Sequence, residues 1–373
     1  MSKPQSEPHA PRFIISGGGT GGHIFPALSI ADALRRTFPG ADILFVGAEG
    51  RMEMEKVPAA GYPITALPVR GLHRKLTLKN FQVLFRLVKS LGMARRIIRT
   101  HRPDVVIGVG GYASAPVLWQ ASRMHIPTVI QEQNSYAGIT NKWLAKRVNR
   151  ICVAYPDMER FFPAEKIVLT GNPIREVLER PLPDAGEARA FFGLDPDRPT
   201  ILSIGGSLGA GTINRSIARH LALLGEDIQL LWQTGAGYYA EAAIAAENYR
   251  QVKALPFISQ MEMAYAAADV VISRAGACSI SELCLLGKAC ILVPSPNVAE
   301  DHQTKNAMAL STRDAAILIR DADAADTLLK TAVETVRQPG RCATLSKNIR
   351  TLARPHAADA IIAQIKPFIS PNA

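Results

Sequence analysis

The chain has 373 residues, more than one ordinary core accommodates, so two domains of somewhat under 200 residues each are expected. Only 6% of the residues are aromatic while Gly and Pro number 28 and 25, which fits an α/β protein rich in strand-to-helix turns, and no short-period repeat is present, which sets solenoids aside. The net charge of +11 argues for an anionic partner, and five cysteines without a CxxC pair or a histidine cluster point to a reduced, metal-free cytoplasmic protein.

The first dozen residues, MSKPQSEPHAPR, are polar with three prolines, so no signal peptide is read there and a loose tail is expected. The first β-branched run is FIIS, 13–16, and it feeds GGGTGGH and an amphipathic helix. Gly17, Gly19 and Gly22 have the GxGxxG spacing of a dinucleotide fold, and Glu49 follows the second strand, DILFVG at 42–47. The same glycines arise wherever backbone N–H groups at a helix start must approach a phosphate, so this motif leaves the ligand open. The ATP-type loop is excluded because no Lys-Ser or Lys-Thr follows the last glycine. His23 sits at the helix N-terminus, where the dipole disfavours imidazolium; it either caps the loop or serves as a general base.

Between Arg70 and Arg102 lie ten Lys or Arg and no Asp or Glu. Phe81, Leu84, Phe85, Val88 and Leu91 recur at helical spacing, with Lys79, Arg86, Lys89 and Arg96 on the other side and Leu72, Leu76 and Leu78 just upstream. A basic amphipathic helix of this kind suits an anionic membrane surface, with Leu76, Lys79, Phe81, Phe85, Arg86 and Lys89 as the contact residues; a helix packing its apolar stripe on its own domain is the alternative. Nucleic acid is not expected, since no stacking aromatics alternate with the basic residues. The longest uncharged stretch, Val105–Ser122, carries three glycines and a proline and makes a poor membrane span.

Further runs at 104–111, 126–134, 150–154 and 166–173 continue a strand–helix alternation, which implies a parallel sheet covered on both faces. After the proline-rich 171–199 the pattern restarts at 200–206, 227–235, 252–258, 269–276 and 289–296. "PTILSIGGSLGAGTINRSIARHL" echoes the first strand, glycine loop and helix. Two doubly wound, Rossmann-like domains are therefore expected, 1–174 and 175–354, with a cleft between them and with 355–373 crossing back to the first.

The ordered motifs GGTGGHIFPALS, GVGGYASAP, QEQNSYAGITNKWLAK, GNPIR, GGSLGA, SRAGACSISEL and EDHQTKNA resemble the MurG family of UDP-N-acetylglucosamine transferases, from Gly17 to Ala307. The resemblance implies a GT-B fold and a cofactor-free, metal-independent, inverting transfer of GlcNAc from UDP-GlcNAc to the C4 hydroxyl of MurNAc in lipid I, an undecaprenyl-diphosphate-MurNAc-pentapeptide. The product is lipid II of peptidoglycan synthesis. It further implies a peripheral protein on the cytoplasmic face of the bacterial inner membrane, with other cell-wall synthesis proteins as candidate partners. Carried onto this chain, Ser281 and Glu282 would sit at the donor, Glu282 accepting from the ribose hydroxyls, and Ile258 would hold uracil through its backbone. Gly276, Ala277, Cys278, Ser279 and Ile280 would form a diphosphate turn, joined by Arg175 and Ser207. Asn134, Gln303 and Asn306 would read sugar hydroxyls, Thr20, Gly21 and Gly22 would face the acceptor diphosphate, and His23 would take the hydroxyl proton. His302 stands where members with paired glutamines carry glutamine, and Cys278 and Ser279 where threonine is often found. A UDP-GlcNAc 2-epimerase of the same fold and an NAD-dependent oxidoreductase are the competing functions. The epimerase would not need ten clustered cations, and the oxidoreductase leaves GGSLGA and SISEL unexplained.

Overall fold

The computed structural model describes residues 10–69, 79–206, 209–298 and 301–369, and their side chains apart from those of 79–85. The predicted contacts Leu72, Leu76, Leu78 and Ser207, and the side chains of Lys79, Phe81, Leu84 and Phe85, lie outside the described residues. The chain divides into two compact units, one of residues 1–174 and 356–373 and one of residues 175–355.

In the first unit the strands are β1 (Arg12–Ser16), β2 (Asp42–Ala48), β3 (Ile64–Leu67), β4 (Val105–Gly108), β5 (Thr128–Glu132), β6 (Arg150–Val153) and β7 (Ile167–Leu169). The helices are α1 (Gly21–Thr37), α2 (Glu53–Ala59), α3 (Lys79–His101), α4 (Ser114–Arg123) and α5 (Ile139–Leu144). The strands pair in parallel in the order β3-β2-β1-β4-β5-β6-β7. Both faces of the sheet are covered, so its central strands read as unbroken apolar runs. Phe13 and Ile15 of β1 pack with Ile30 and Leu34 of α1 on one face, while Ile14 packs with Val117 and Leu118 of α4 on the other.

The second unit carries α6 (Ala185–Phe191), β8 (Thr200–Ile204), α7 (Gly211–His220), β9 (Gln229–Gln233), α8 (Tyr239–Ala246), β10 (Val252–Leu255), α9 (Met261–Ala267) and β11 (Val270–Ser273). It continues with α10 (Ala277–Leu286), β12 (Ala289–Leu292), α11 (His302–Ser311), β13 (Ile317–Leu318), α12 (Ala324–Val336) and α13 (Pro339–Arg350). Its sheet runs β10-β9-β8-β11-β12-β13, again all parallel. The last helix, α14 (Ala357–Ile365), belongs to the first unit and buries Ile361, Ile362 and Ile365 beside Ile30 and Leu34.

In each sheet the order reverses at the first strand, between β1 and β4 and between β8 and β11. The crevice beyond the carboxyl ends of such a strand pair is where doubly wound sheets bind ligands. The turns at those strand ends are 17–20 and 109–113 in the first unit, and 205–206, 209–210 and 274–276 in the second.

Three features differ from the sequence reading. Two strands stop short of the runs grouped with them, β4 at Gly108 and β5 at Glu132, because 109–111 and 133–134 belong to the turns that follow. The edge strands β3 and β13 were not anticipated; they have four and two residues and are only partly buried, so little apolar pattern marks them. Among the described side chains of α3 the buried ones are Ser90, Ala94 and Ile98, whereas Val88 is 61% exposed and so departs from the alternative in which the apolar stripe packs on its own domain. Val88 lies about 160° around the helix from Ser90, and small side chains at 90 and 94 let α3 approach the sheet's cover closely.

Candidate functional site

In the first unit, β1 ends at Ser16, whose carbonyl accepts from Ser114 Oγ at 2.6 Å; the same hydroxyl reaches Gly110 O at 2.9 Å. Ser114 thus ties the turn after β1 to the turn after β4. Thr20 is the extended N-cap residue of α1, and its carbonyl accepts the His23 and Ile24 N–H groups at 3.1 and 3.2 Å. Its hydroxyl lies 3.3 Å from His23 Nδ1. The other edge of the imidazole rests on Gly110, where a Cβ would stand 2.9 Å from Nε2 and where φ is +92°, so this position excludes any side chain.

Beside that turn lies a buried carboxylate that sequence reasoning missed. Glu132, 1% exposed at the end of β5, accepts from Asn134 N at 3.1 Å, Asn134 Nδ2 at 3.3 Å, Gly138 N at 3.0 Å and Asn141 Nδ2 at 2.9 Å. Burial pushes its carboxyl up from the ordinary value, and these hydrogen bonds pull the other way. Glu132 fixes the loop that carries Asn134 and starts α5. Its signal in the sequence was an acidic residue closing an apolar strand, TVIQE, a place where charge is rare unless paired. Gln131, Gln133 and Asn172 extend the network: Gln133 Nε2 donates to Val109 O at 2.8 Å and Asn172 Nδ2 to Gln133 O at 3.0 Å.

In the second unit, the turn after β11 delivers Gly276, the extended N-cap of α10. The amides of Ala277, Cys278 and Ser279 lie in the first turn, which offers no intrahelical acceptor. That of Ile280 bonds Gly276 O at 2.9 Å, so Ile280 shapes the turn rather than opening toward a ligand. Ser281 Oγ returns to Ala277 O at 3.0 Å inside the helix. One turn on, the buried Glu282 accepts from Tyr265 Oη at 2.8 Å and faces Arg175 Nε at 3.6 Å. Burial raises the Glu282 carboxyl above its ordinary value, opposed first by the Arg175 charge and then by the Tyr265 hydrogen bond. Burial, with the neighbouring Glu282 charge, pushes the Cys278 thiol up to about 12, so it is a thiol and not a thiolate at neutral pH.

The remaining predicted residues surround this turn in different ways. The Ile258 N–H bonds Gln233 Oε1 at 3.1 Å, and Gln233 Nε2 bonds Gly206 O at 3.1 Å, so one amide side chain links Ile258 to the glycine turn after β8. Gln303 Oε1 accepts from Ser295 N at 2.8 Å. Asn306 is fully buried with Nδ2 3.5 Å from Ala275 O, which makes it a support of the turn before α10. His302 opens α11 after Asp301, whose φ is +52°. Arg274 was not singled out in the sequence. It donates to Val293 O and Pro294 O, both at 3.1 Å, and pairs with Asp321, whose other oxygen accepts from Thr212 Oγ1 at 3.0 Å. This clamp joins the first turn of α7 to the turn before α10.

A second group missed by the sequence reading is a surface patch of the first unit. Trp119 of α4 stacks on Trp143 of α5 at 5.0 Å between centroids, and Trp143 is 49% exposed. Arg147 lies 4.3 Å over Trp119, and Arg123 lies 6.0 Å from it. Ile139 is 69% exposed, and α4 packs against both α3 and α5. No helix among the described residues is long and apolar enough to cross a membrane.

Comparison with known proteins matches residues 13–153 to the glycosyltransferase family 28 N-terminal domain and residues 200–361 to the glycosyltransferase family 28 C-terminal domain. A relative from Parabacteroides distasonis is 59% identical over 361 residues, covering 96% of this chain and 98% of its own length. One from Porphyromonas gingivalis is 59% identical over 362 residues, covering 96% of each. Both are named UDP-N-acetylglucosamine--N-acetylmuramyl-(pentapeptide) pyrophosphoryl-undecaprenol N-acetylglucosamine transferase. Among solved structures, Acinetobacter baumannii MurG superposes with a TM-score of 0.75 at 28% identity, covering 96% of this chain and 99% of that one. A UDP co-structure of S. aureus MnaA, with a TM-score of 0.66 at 12% identity and 96% coverage of each chain, shares the fold.

Proposed function

The chain belongs to glycosyltransferase family 28, and from that premise we propose that it transfers N-acetylglucosamine from UDP-GlcNAc to the C4 hydroxyl of MurNAc in lipid I, giving lipid II. The observation that carries this reading is the buried Glu282 carboxylate beside Arg175, one turn into a helix whose N-terminus follows a glycine. In a chain 59% identical to named transferases, that geometry suits a ribose and a diphosphate side by side. The second unit is assigned the donor, with Glu282 on the ribose hydroxyls, Arg175 and the amides of Ala277 to Ser279 on the diphosphate, and the backbone of Ile258 on uracil. Because the Ile258 N–H already has Gln233 as partner, the base displaces that side chain or uses the carbonyl. Ser207, in the same glycine loop as Gly206, is retained as a diphosphate contact, and Gln303 and Asn134 as sugar contacts.

The acceptor is assigned to the first unit, with its diphosphate at Thr20, Gly21 and Gly22. In its neutral form, with the Nδ1 hydrogen shared with Thr20 Oγ1, His23 keeps Nε2 as the acceptor for the C4 hydroxyl proton. The hydroxyl oxygen attacks the anomeric carbon opposite UDP, the C–O bond to UDP breaks, and the configuration inverts. Negative charge grows on the departing diphosphate, where Arg175 and the α10 N-terminus oppose it. Exclusion of water protects the donor from hydrolysis.

The lipid tail of the acceptor requires a membrane surface. Exposed Leu87 and Val88 on α3, the Trp119–Trp143 stack and Ile139 supply apolar contact, while Arg86, Lys89, Arg123 and Arg147 attract anionic headgroups. Peripheral attachment at the cytoplasmic face of the inner membrane follows, since UDP-GlcNAc is a cytoplasmic metabolite. Incubation with radiolabelled UDP-GlcNAc and a lipid I analogue tests the reading: label moves into the lipid phase, and label confined to water removes it.

A further inference from the structure

Glu53 is the first residue of α2 and only 1% exposed, yet its carboxylate bonds no side chain among the hydrogen bonds of the described residues. Both oxygens accept from backbone: Oε2 from Gly19 N–H at 2.9 Å, Oε1 from Ala48 N–H at 3.0 Å. The carboxylate lies inside the first glycine turn. A Cβ on Gly18 would stand 2.2 Å from Oε1, and φ at Gly18 is +145°, so Glu53 and the backbone together require glycine here. A chain of contacts runs outward from there. Gly19 precedes Thr20, whose carbonyl takes the His23 and Ile24 N–H groups and whose hydroxyl meets His23 Nδ1.

We propose that Glu53 is a positioning residue for transfer: a built-in anion that occupies the inner amide of the first glycine turn and thereby sets the rim, Thr20 to Gly22, and the imidazole of His23. This rests on the transferase reading for its kinetic consequence, and on the turn's geometry for its structural one. A phosphate cannot enter the inner position while the carboxylate fills it, so the acceptor diphosphate is confined to the rim. Glutamine at 53 keeps one acceptor oxygen but turns an NH2 group toward an N–H, which breaks one of the two bonds and leaves the turn free to shift.

The test compares Glu53→Gln and Glu53→Ala with the wild-type full chain. Steady-state kinetics are measured at varied lipid I analogue and varied UDP-GlcNAc, together with Tm and the amide resonance of Gly19 in 15N-glycine-labelled protein. For Glu53→Gln, kcat falls about tenfold or more and the acceptor KM rises, while the donor KM stays within about twofold, as loss of one charge-assisted hydrogen bond at the acceptor turn implies. In Glu53→Ala, sodium formate restores turnover and sodium chloride of equal ionic strength does not. Unchanged kcat and acceptor KM in Glu53→Gln overturn the proposal, as does a uniform loss of donor and acceptor parameters that follows Tm. Should Glu53→Gln fail to fold, Gly18→Ala, which forces the carboxylate aside, must give the same split between acceptor and donor; equal effects on both overturn the proposal. A wild-type chain that transfers nothing removes the function reading instead. The Gly19 amide then decides: an upfield move in Glu53→Gln supports the bond, and an unmoved resonance overturns it.

Discussion

Replacing Glu282 with glutamine separates the cost of a buried charge from its use. In the wild type, Oε1 lies 3.6 Å from Arg175 Nε, an attraction of about 5 kcal/mol at an effective dielectric constant near 20. The Arg175 side chain is 39% exposed, so solvent screening reduces this to about 1–2 kcal/mol. Against it stands a desolvation cost of several kcal/mol for the buried carboxylate, which is why burial is the largest influence on its titration. Glutamine removes both, so Tm in the absence of ligand is expected to hold or rise. UDP binding is expected to behave differently: on the proposed assignment ribose hydroxyls donate to the charged oxygens, and losing such a bond costs about 1.5–3 kcal/mol, or about 10- to 150-fold in Kd. The pH dependence has a matching sign. The folded carboxyl titrates above its unfolded value, so its stabilising contribution is present below the unfolded value and is lost as pH rises through the folded one. UDP affinity rises over the same window, as the acceptor form appears. Calorimetric titration with UDP and thermal melts from mildly acidic to neutral pH read both quantities in wild type and Glu282→Gln. A variant that binds UDP within about twofold of wild type refutes the assignment of Glu282 to the ribose.

Three further outcomes follow from the geometry. His23→Ala is expected to lower kcat by about 100-fold or more at unchanged UDP affinity, the range of general-base loss, and unchanged turnover removes His23 as the base. Gly110→Ala places a methyl group 2.9 Å from His23 Nε2 at a φ of +92°, so turnover should fall while melting shifts by the equivalent of about 1–3 kcal/mol; full activity contradicts the packing of the imidazole on this turn. Arg86→Glu with Lys89→Glu, and separately Trp143→Ser, should each release the protein from anionic vesicles in a sedimentation assay; the charge pair should act mainly at low salt and the tryptophan at all salts. Vesicle binding that is indifferent to all three changes removes this face as the docking surface.

The repeated strand, glycine turn and helix made the doubly wound architecture readable, because buried parallel strands such as β4, β8 and β11, and β1 beyond Arg12, are mostly apolar runs. The edge strands β3 and β13 escaped because residues covered on only part of one face need no such run. The ligand-side turns were legible as glycine clusters, but the groups holding them in shape were not. Glu132 reaches Asn134 two positions away, Glu53 reaches Gly19 across 34 and Asp321 reaches Thr212 across 109, and no local spacing encodes all three. The orientation of α3 was left open for a related reason. Apolar residues occur on two sides of that helix, and periodicity gives their spacing but not which side meets the core.

The central claim is decided by identifying the product. With UDP-GlcNAc and a soluble lipid I analogue, mass spectrometry should show the acceptor gaining one N-acetylhexosamine as UDP is released one for one. Proton NMR should show that the new linkage is β at the anomeric carbon, the inverse of the α-linked donor. Free N-acetylmannosamine with UDP and an unchanged acceptor, or an α linkage in the product, would contradict an inverting transferase.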